Sequence, residues 1–339
     1  MSSKIKAYAA LKKGQPLQPF EYEPGPLGAE QVEIRVEHCG ICHSDLSMLD
    51  NEWGFSAYPL IAGHEVIGTV SAVGPHAKRV KVGDRVGLGW NSGSCGCCPQ
   101  CLAGDQNMCT SVEGTIVGRP GGFAERVRCN WIWAAPIPTG VDPVSAGPLL
   151  CGGITVFNPI VQFGVRPTQR VGVVGIGGLG HMALEFLNKW GCEVTAFTSS
   201  EGKREEAGRL GAHHVVNSKD GAALRAIAGS LDFILVTVNA TLDWEALIGA
   251  LAPRGRIHFV GAVLVPVPVA AFGLIVGQKS VSGSPSGGPA VVDQMLAFCA
   301  RHRIAPVIEK FPMSRVNDAL DRLRSGKARY RVVLDNDIA

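Results

Sequence analysis

Val171-Gly-Val-Val-Gly175-Ile-Gly177-Gly178-Leu179-Gly180 is a short β-branched run that closes in G-x-G-x-x-G. A helical pattern over Gly180 to Trp190 follows it directly. Glycines at these positions permit a tight turn and let backbone approach a pyrophosphate, whose charge then sits at a helix N-terminus. In a chain with 43 glycines the bare motif carries little weight. The strand before it and the helix after it are what make it a dinucleotide-binding loop rather than a mere turn.

Working outward from this loop, strands and helices alternate. Arg170 to Val174, Glu193 to Thr198, His213 to Val216, Phe233 to Val238 and Arg256 to Val260 read as strands. Helices are expected at Gly180 to Trp190, Lys203 to Leu210 and Trp244 to Leu251. Elements of these lengths in this order predict right-handed βαβ units and a parallel sheet. After about Ser282 come a helix at Ala290 to Arg301, an extended stretch at Pro306 to Phe311, a helix at Val316 to Arg324 and a last strand at Arg331 to Leu334.

Before Cys151 the texture differs. Short β-branched runs at Gln31 to Val36, Val66 to Val73, Arg85 to Leu88 and Phe123 to Val127 are separated by glycine and proline turns, which predicts a β-rich, barrel-like domain. The 339 residues suggest about two domains. With 46% hydrophobic and 18% charged residues the chain has ample core and is not disordered. A net charge of +3 without a basic block argues against a nucleic-acid or membrane-surface partner. The N-terminus lacks a secretory h-region, and the most apolar stretch, Val263 to Val276, is too short to span a bilayer and contains Pro266 and Pro268. A cytoplasmic protein is expected, whose eleven cysteines serve as metal ligands and buried thiols rather than disulfides.

Four of those cysteines, Cys95, Cys98, Cys101 and Cys109, follow C-x2-C-x2-C-x7-C. Turn formers between them fold a lobe whose four thiolates suit a closed, tetrahedral structural Zn2+. Cys42, His64 and Cys151 form a sparser set: two thiolates and one imidazole would leave a fourth zinc position open to water or a substrate oxygen. Taken singly, each has a bland reading as a packed thiol or an ordinary histidine, and spacing alone does not join them.

The end of the second strand of the series bears on the choice of dinucleotide. It reads Thr198-Ser199-Ser200-Glu201-Gly202-Lys203-Arg204. Hydroxyls with two cations suit the 2′-phosphate of NADP, which a carboxylate would repel. Glu201 offers the opposite reading, since turned inward it would accept from the 2′-hydroxyl of NAD; a solvated helix face is the plain reading of Lys203 and Arg204.

Several ordered motifs together resemble one family. They are Gly40-Ile-Cys42-His43-Ser44-Asp45, Gly63-His64-Glu65, Val82-Gly-Asp-Arg-Val86, the four-cysteine lobe, Cys151-Gly-Gly-Ile-Thr155, the Gly175-to-Gly180 loop and Arg329-Tyr-Arg-Val-Val333. From end to end the chain resembles the zinc-dependent medium-chain dehydrogenases and reductases, and among them the cinnamyl-alcohol-dehydrogenase-like branch. The resemblance implies an α/β fold in which a Rossmann doubly wound parallel sheet is inserted in a β-rich GroES-like catalytic domain. Residues 1–150 and 283–339 would form the catalytic domain and 151–282 the NADP-binding domain, with the active site in the cleft.

It implies two Zn2+ per chain. Cys42, His64 and Cys151 would hold the catalytic ion, with Glu65 an alternate or transient ligand, and Cys95, Cys98, Cys101 and Cys109 the structural one. Cys97 falls out of register; Cys39, Cys129, Cys192 and Cys299 are taken as packing thiols. Ser44 matches the hydroxyl that starts the family's proton relay. Ser47 stands where many relatives carry histidine, which leaves the outer relay to His43, Asp50 or water through the cofactor ribose. Thr155 matches a cofactor-contacting residue; Ser199, Ser200 and Lys203 match the NADP-phosphate pocket. Trp53 and, more loosely, Trp90 match substrate-pocket aromatics, although either could equally be core.

The implied activity is interconversion of a small-molecule primary alcohol and its aldehyde with NADP(H), aromatic or medium-chain, by a homodimer or homotetramer without nucleic-acid or membrane partners. The rival within the superfamily is an NAD-dependent polyol or secondary-alcohol dehydrogenase. From another class, a non-catalytic zinc protein that senses dinucleotide competes, and more weakly a nucleic-acid-binding zinc ribbon.

Overall fold

The computed structural model describes residues 4–338, with the side chain of Glu201 outside the description. The chain forms two units: one runs to Ile154 and resumes at Gly287, and the other is Thr155–Ser286.

The second unit is built on a six-stranded sheet whose spatial order is His214–Asn217, Glu193–Thr198, Arg170–Val174, Leu231–Val236, Leu251–Phe259, Ser280–Gly283. Every neighbouring pair is parallel. In chain order this is 3-2-1-4-5-6, the doubly wound arrangement, and the order reverses beside Arg170–Val174. Val171 to Val174 are all buried, which explains their unbroken apolar run. The helix Gly180–Trp190 buries Met182, Leu184, Phe186 and Leu187 and stops at Gly191, whose φ of 102° gives the left-handed C-cap. Val174, Phe197, Ile234, Trp244 and Ile257 make up the heart of this core.

Three further elements lie in this unit. The helix Gly221–Ala226 is short but capped by Asp220, whose carboxylate accepts from Ala222 and Ala223 N–H. The helix Ala271–Gly277 buries none of its residues, and its sequence is apolar all round, so no alternation of apolar and polar faces marks it as a helix. The edge strand Ser280–Gly283, Ser-Val-Ser-Gly, has low strand propensity and is held by parallel pairing to Leu251–Phe259.

In the first unit a seven-stranded sheet runs Ile308–Pro312, Arg331–Asp335, Gln31–Ile41, Glu65–Val73, Arg85–Leu88, Ala135–Pro136, with Arg126–Asn130 also paired to Gln31–Ile41. The strand Gln31–Ile41 is longer than its apolar pattern indicates. Its alternation breaks at Glu37 and His38, and pairing with Glu65–Val73 continues through register shifts at Glu33/Ile34 and Val36/His38. The strand expected from Phe123 begins instead at Arg126; Phe123 is fully buried and Ala124 bridges Ala7. Ile34, Ile41, Met48, Leu88, Phe123 and Leu334 are among the buried core residues. Among the described residues no single helix is long and apolar enough to cross a membrane.

Candidate active site

The central strand Gln31–Ile41 positions the site in the first unit. Gly40 lies opposite Glu65 on one side and Val333 on the other, so Cys42, the residue after the strand, emerges beside both neighbours. Cys151 follows the tight helical turn Gly147–Leu150, which contacts the strand Glu65–Val73. Ligand atoms of Cys42, His64, Glu65 and Cys151 all come within 4.8 Å of one another, and all four residues are buried. Cys42 and Cys151 Sγ are 3.8 Å apart, and His64 Nε2 is 3.2 Å from Cys151 Sγ. Tetrahedral Zn2+ with about 2.3 Å Zn–S and 2.0–2.1 Å Zn–N bonds needs edges of about 3.6–3.8 Å; the donor set fits the ion in chemistry, the sulfur–sulfur edge matches, and the nitrogen–sulfur edge of 3.2 Å is shorter.

Asp45 orients the set. Its Oδ1 pairs with His64 Nδ1 at 2.9 Å and accepts from Gly63 N–H at 2.8 Å, while Oδ2 accepts from Cys42 N–H at 2.8 Å. With Nδ1–H given to Asp45, the His64 Nε2 lone pair is left for a metal. Burial opposes a charge on His64, yet Asp45 and Cys42 hold it well above the usual imidazole range. The Cys151 thiol donates to Cys42 Sγ, which holds Cys42 well below the ordinary thiol range and Cys151 well above it.

Glu65 Oε1 accepts from Arg331 Nη2, and both side chains are buried. Glu65 Oε2 has no hydrogen-bond partner. An orphaned buried carboxylate oxygen within reach of two thiols and an imidazole suits an exchangeable metal ligand. Burial pushes the Glu65 carboxyl up to about 7 against the pull of Arg331. Gly40 makes room for it, since a Cβ there would stand 2.1 Å from Glu65 Oε2.

A row of rings leads away from the ligands. Trp90 packs edge-on against His64 at 5.0 Å between centroids, Trp53 edge-on against Trp90 at 5.8 Å, and Phe55 stacks on Trp53 at 5.8 Å. Phe55 is exposed at its outer end. Ser44 lies beside Cys42, whose Sγ donates to Ser44 Oγ at 3.8 Å. One turn along the helix His43–Leu49, Ser47 is buried and its Oγ donates to Glu52 Oε2 at 2.6 Å. Asp50 is instead held by both Arg324 nitrogens, and His43 is exposed.

The sulfurs of Cys95, Cys98, Cys101 and Cys109 also lie within 4.8 Å of one another. Cys109 and Cys101 Sγ are 3.5 and 3.9 Å from Cys95 Sγ, which brackets the tetrahedral S–S edge of about 3.8 Å. Backbone N–H groups of Cys98, Cys95 and Ser111 point at cluster sulfurs at 3.3–3.4 Å, as thiolates require. Cys39, Cys129, Cys192 and Cys299 are buried.

In the second unit, the loop after Arg170–Val174 has the shape a dinucleotide needs. Gly175 has φ 92°, and a Cβ on Gly180 would meet Gly175 O at 1.8 Å, so the turn closes only with glycine. A Cβ on Gly177 would meet nothing within 4 Å, which leaves its backbone open to a ligand. Gly178 and Leu179 are half-buried beside it, with Leu179 the N-cap of the helix. Lys203 Nζ donates to Ile176 O at 2.7 Å, placing this cation against the glycine loop. Thr198, Ser200, Arg204, Val215 and Asn217 line a shallow depression, and none of these five side chains is a carboxylate. Ser199 is exposed next to it, and Thr155 is half-buried on the helix Gly152–Gln162.

Asp45, Arg331, Glu52, Arg204 and Phe55 join these groups without having been singled out as site residues from the sequence. Their signals in the sequence are slight: Asp45 closes the Gly40-to-Asp45 motif, Arg331 lies within Arg329 to Val333, and Arg204 is a cation beside Lys203. Glu52 precedes Trp53 and Phe55 lies two residues beyond it, and neither carries a signal of its own in the sequence.

Two family models match the chain, "Alcohol dehydrogenase GroES-like domain" over residues 28–139 and "Zinc-binding dehydrogenase" over residues 178–301. The chain is 55% identical to the aldehyde reductase AdhA of Synechocystis sp. over 332 residues, 98% of this chain and 99% of that protein. It superposes on a cinnamyl alcohol dehydrogenase of Sorghum bicolor with a TM-score of 0.93 at 38% identity, covering 98% of each chain. A cinnamyl alcohol dehydrogenase of Helicobacter pylori, solved in complex with NADP(H), gives 0.90 at 30% identity over 99% of each chain.

Proposed function

Since the chain belongs to the zinc-dependent medium-chain alcohol dehydrogenases, in their cinnamyl-alcohol-dehydrogenase-like branch, we propose that it interconverts a primary alcohol and its aldehyde with NADP(H). The observation that carries this reading is the buried donor set Cys42, His64 and Cys151, with Glu65 as an exchangeable fourth member. When bound there, Zn2+ supplies Lewis acidity towards an alcohol or carbonyl oxygen, and NADP(H) accepts or supplies hydride. A second Zn2+ in the four-cysteine lobe would complete two per chain.

The chain's own side chains prepare and drain the site. Asp45 fixes the tautomer and orientation of His64. Arg331 holds Glu65 Oε1; removing one member of a buried ion pair costs about 3–5 kcal/mol, so the two act as one support. The Ser44 hydroxyl takes the alcohol proton during oxidation and returns one during reduction. Ser44 and Ser47 lie three apart on one helix face, and Ser47 reaches the exposed Glu52 carboxylate, so a water between the two serines would complete a proton route to solvent through Ser44, Ser47 and Glu52. On this reading Glu52→Gln lowers kcat for alcohol oxidation about tenfold near neutral pH and less above pH 9, where hydroxide accepts directly. A pH profile unchanged from the parent protein would remove Glu52 from the route.

Trp53 and Trp90 would form the wall against which a flat aldehyde packs, which favours aromatic over bulky branched substrates. Ser199, Ser200, Lys203 and Arg204 would hold the 2′-phosphate, and Thr155 with Gly175, Gly177, Gly178, Leu179 and Gly180 the rest of the cofactor. The aldehyde reductase named among the relatives supports reduction as the working direction. Thiolate ligands in this number suit the reducing cytoplasm.

The surface of the second unit supports a homodimer. Leu264, Val265, Phe272, Ile275 and Val276 are all at least half exposed, beside the edge strand Ser280–Gly283. A second copy would cover these side chains and extend the sheet. Phe272→Glu is expected to shift the mass in solution from dimer to monomer at micromolar concentration, measured by light scattering; an unchanged mass would place the contact elsewhere.

The test of the activity is the initial rate of benzaldehyde or cinnamaldehyde reduction at matched NADPH and NADH. Turnover that favours NADPH is expected. Oxidation of polyols with NAD in its place would support the rival enzyme, and no turnover in zinc-loaded protein would support a sensor.

A further inference from the structure

The first unit carries a basic cavity that neither the metal ligands nor the glycine loop uses. It has a volume of about 400 Å3, and its walls present Lys4, Lys6, Arg35 and Arg126 with a single carboxylate, Glu125. Burial alternates at the start of the chain: Ile5 and Ala7 face the core, which turns Lys4 and Lys6 outward. Arg35, on the strand Gln31–Ile41, is paired directly with Arg126 on the strand Arg126–Asn130. Like charges opposed across a strand pair disfavour the sheet unless something neutralises them. The carboxylates nearby do so only in part. Glu33 accepts from Arg126 at 3.0 Å and also from Arg128 at 2.9 Å. Glu37 accepts from Arg35 at 3.2 Å and also pairs with Arg85 at 3.2 Å. Each carboxylate is thus shared between two guanidinium groups, and Lys4 and Lys6 add two further positive charges to the same walls. The lining is held in place. Arg126 Nη2 donates to Lys4 O at 3.2 Å, and Asn336 Nδ2 donates to Val36 O at 2.9 Å and Ala124 O at 3.1 Å.

We propose that this cavity binds a small phosphorylated polyol, of the sugar-phosphate class, at a site separate from the active centre. Guanidinium groups match phosphate oxygens in geometry as well as in charge, and the surplus of cations over carboxylates supplies the attraction. A carboxylate offers about four lone-pair positions, so Glu125, whose Oε2 accepts from Lys6 N–H at 3.0 Å, can also accept from hydroxyls. No aromatic ring lines the cavity, which disfavours a nucleoside base or another flat body. Its volume lies in the range of small-ligand sites, about 300–1,000 Å3, and leaves room for a body beyond the phosphate. Arg35 stands seven residues before Cys42, roughly 20 Å along the strand at about 3.3 Å per residue. A ligand here therefore leaves the Cys42–His64–Cys151 set untouched.

The experiment is calorimetric titration of the full-length, zinc-loaded protein with glucose 6-phosphate, with the preferred dinucleotide saturating so that the glycine loop is occupied. Salt is held at about 0.15 M, where diffuse attraction is screened beyond about 8 Å. Expected are one saturable site per chain with Kd below about 1 mM, inorganic phosphate at least about tenfold weaker, and no binding of glucose. Arg35→Ser and Lys4→Ala change exposed side chains, so both proteins should melt at the parent temperature and keep the parent turnover. Each should bind glucose 6-phosphate at least about tenfold more weakly, as loss of a charge-assisted contact requires. The proposal is overturned by the absence of saturable binding up to about 10 mM, by inorganic phosphate binding as tightly as the sugar phosphate, or by unchanged affinity in both variants. Binding is read without turnover, so its failure and a failure of the dehydrogenase reading are distinguishable.

Discussion

Replacing Cys42 by alanine is expected to lower kcat/KM for aldehyde reduction by more than about 1,000-fold, because a ligand rather than an outer support is lost. The zinc count should fall by one per chain, with the circular dichroism of the folded protein retained. The asymmetry follows from the geometry. Cys42 stands at the end of the strand Gln31–Ile41, which is already fixed by three neighbouring strands, so the backbone keeps its place without the sulfur. His64 remains tied to Asp45, but one imidazole and one thiolate no longer make a site that retains the ion. A Cys42→Ala protein that kept both zincs and full turnover would show the reacting oxygen to be held elsewhere.

The second large effect concerns the cofactor. Lys203→Glu is expected to lower kcat/KM for NADPH about 100-fold while changing that for NADH less than about threefold. A charge-assisted hydrogen bond to phosphate contributes about 1.5–3 kcal/mol, and a carboxylate in its place adds repulsion. NADH has no 2′-phosphate and would feel neither. Lys203 is a sharper target than Arg204 because its amine already rests on the glycine loop, at Ile176 O. Equal losses with both cofactors would mean that Lys203 supports the loop rather than the phosphate. Arg204 and Ser200 on the lining of the adjacent depression would then be the residues to test.

The parts legible in the sequence were those encoded locally. A strand, three spaced glycines and a helix are contiguous, so Gly175 to Gly180 announced the sheet around it. C-x2-C-x2-C-x7-C confines four sulfurs to one lobe of 15 residues. Cys42, His64 and Cys151 are different: pairing of Gly40 with Glu65 and the packing of Gly147–Leu150 on the same strand bring them together, and only the resemblance joined them beforehand. Arg331 reaches Glu65 because Val332 pairs with Ile41, a contact 266 residues apart in sequence between the two side chains. Glu52 gave no signal because its role depends on a hydrogen bond from Ser47 just beyond the end of a helix. The strand Ser280–Gly283 and the helix Ala271–Gly277 were missed for an opposite reason: both depend on neighbours rather than on their own periodicity.

The most direct measurement of the central claim is zinc per chain followed together with the rate of cinnamaldehyde reduction as a chelator strips the metal. Two zincs at full loading are expected, with the rate falling in proportion to occupancy of the Cys42–His64–Cys151 site and returning on zinc addition. Full turnover in protein whose buried site has been emptied, as shown by Cys42 and Cys151 becoming open to alkylation, would contradict the account.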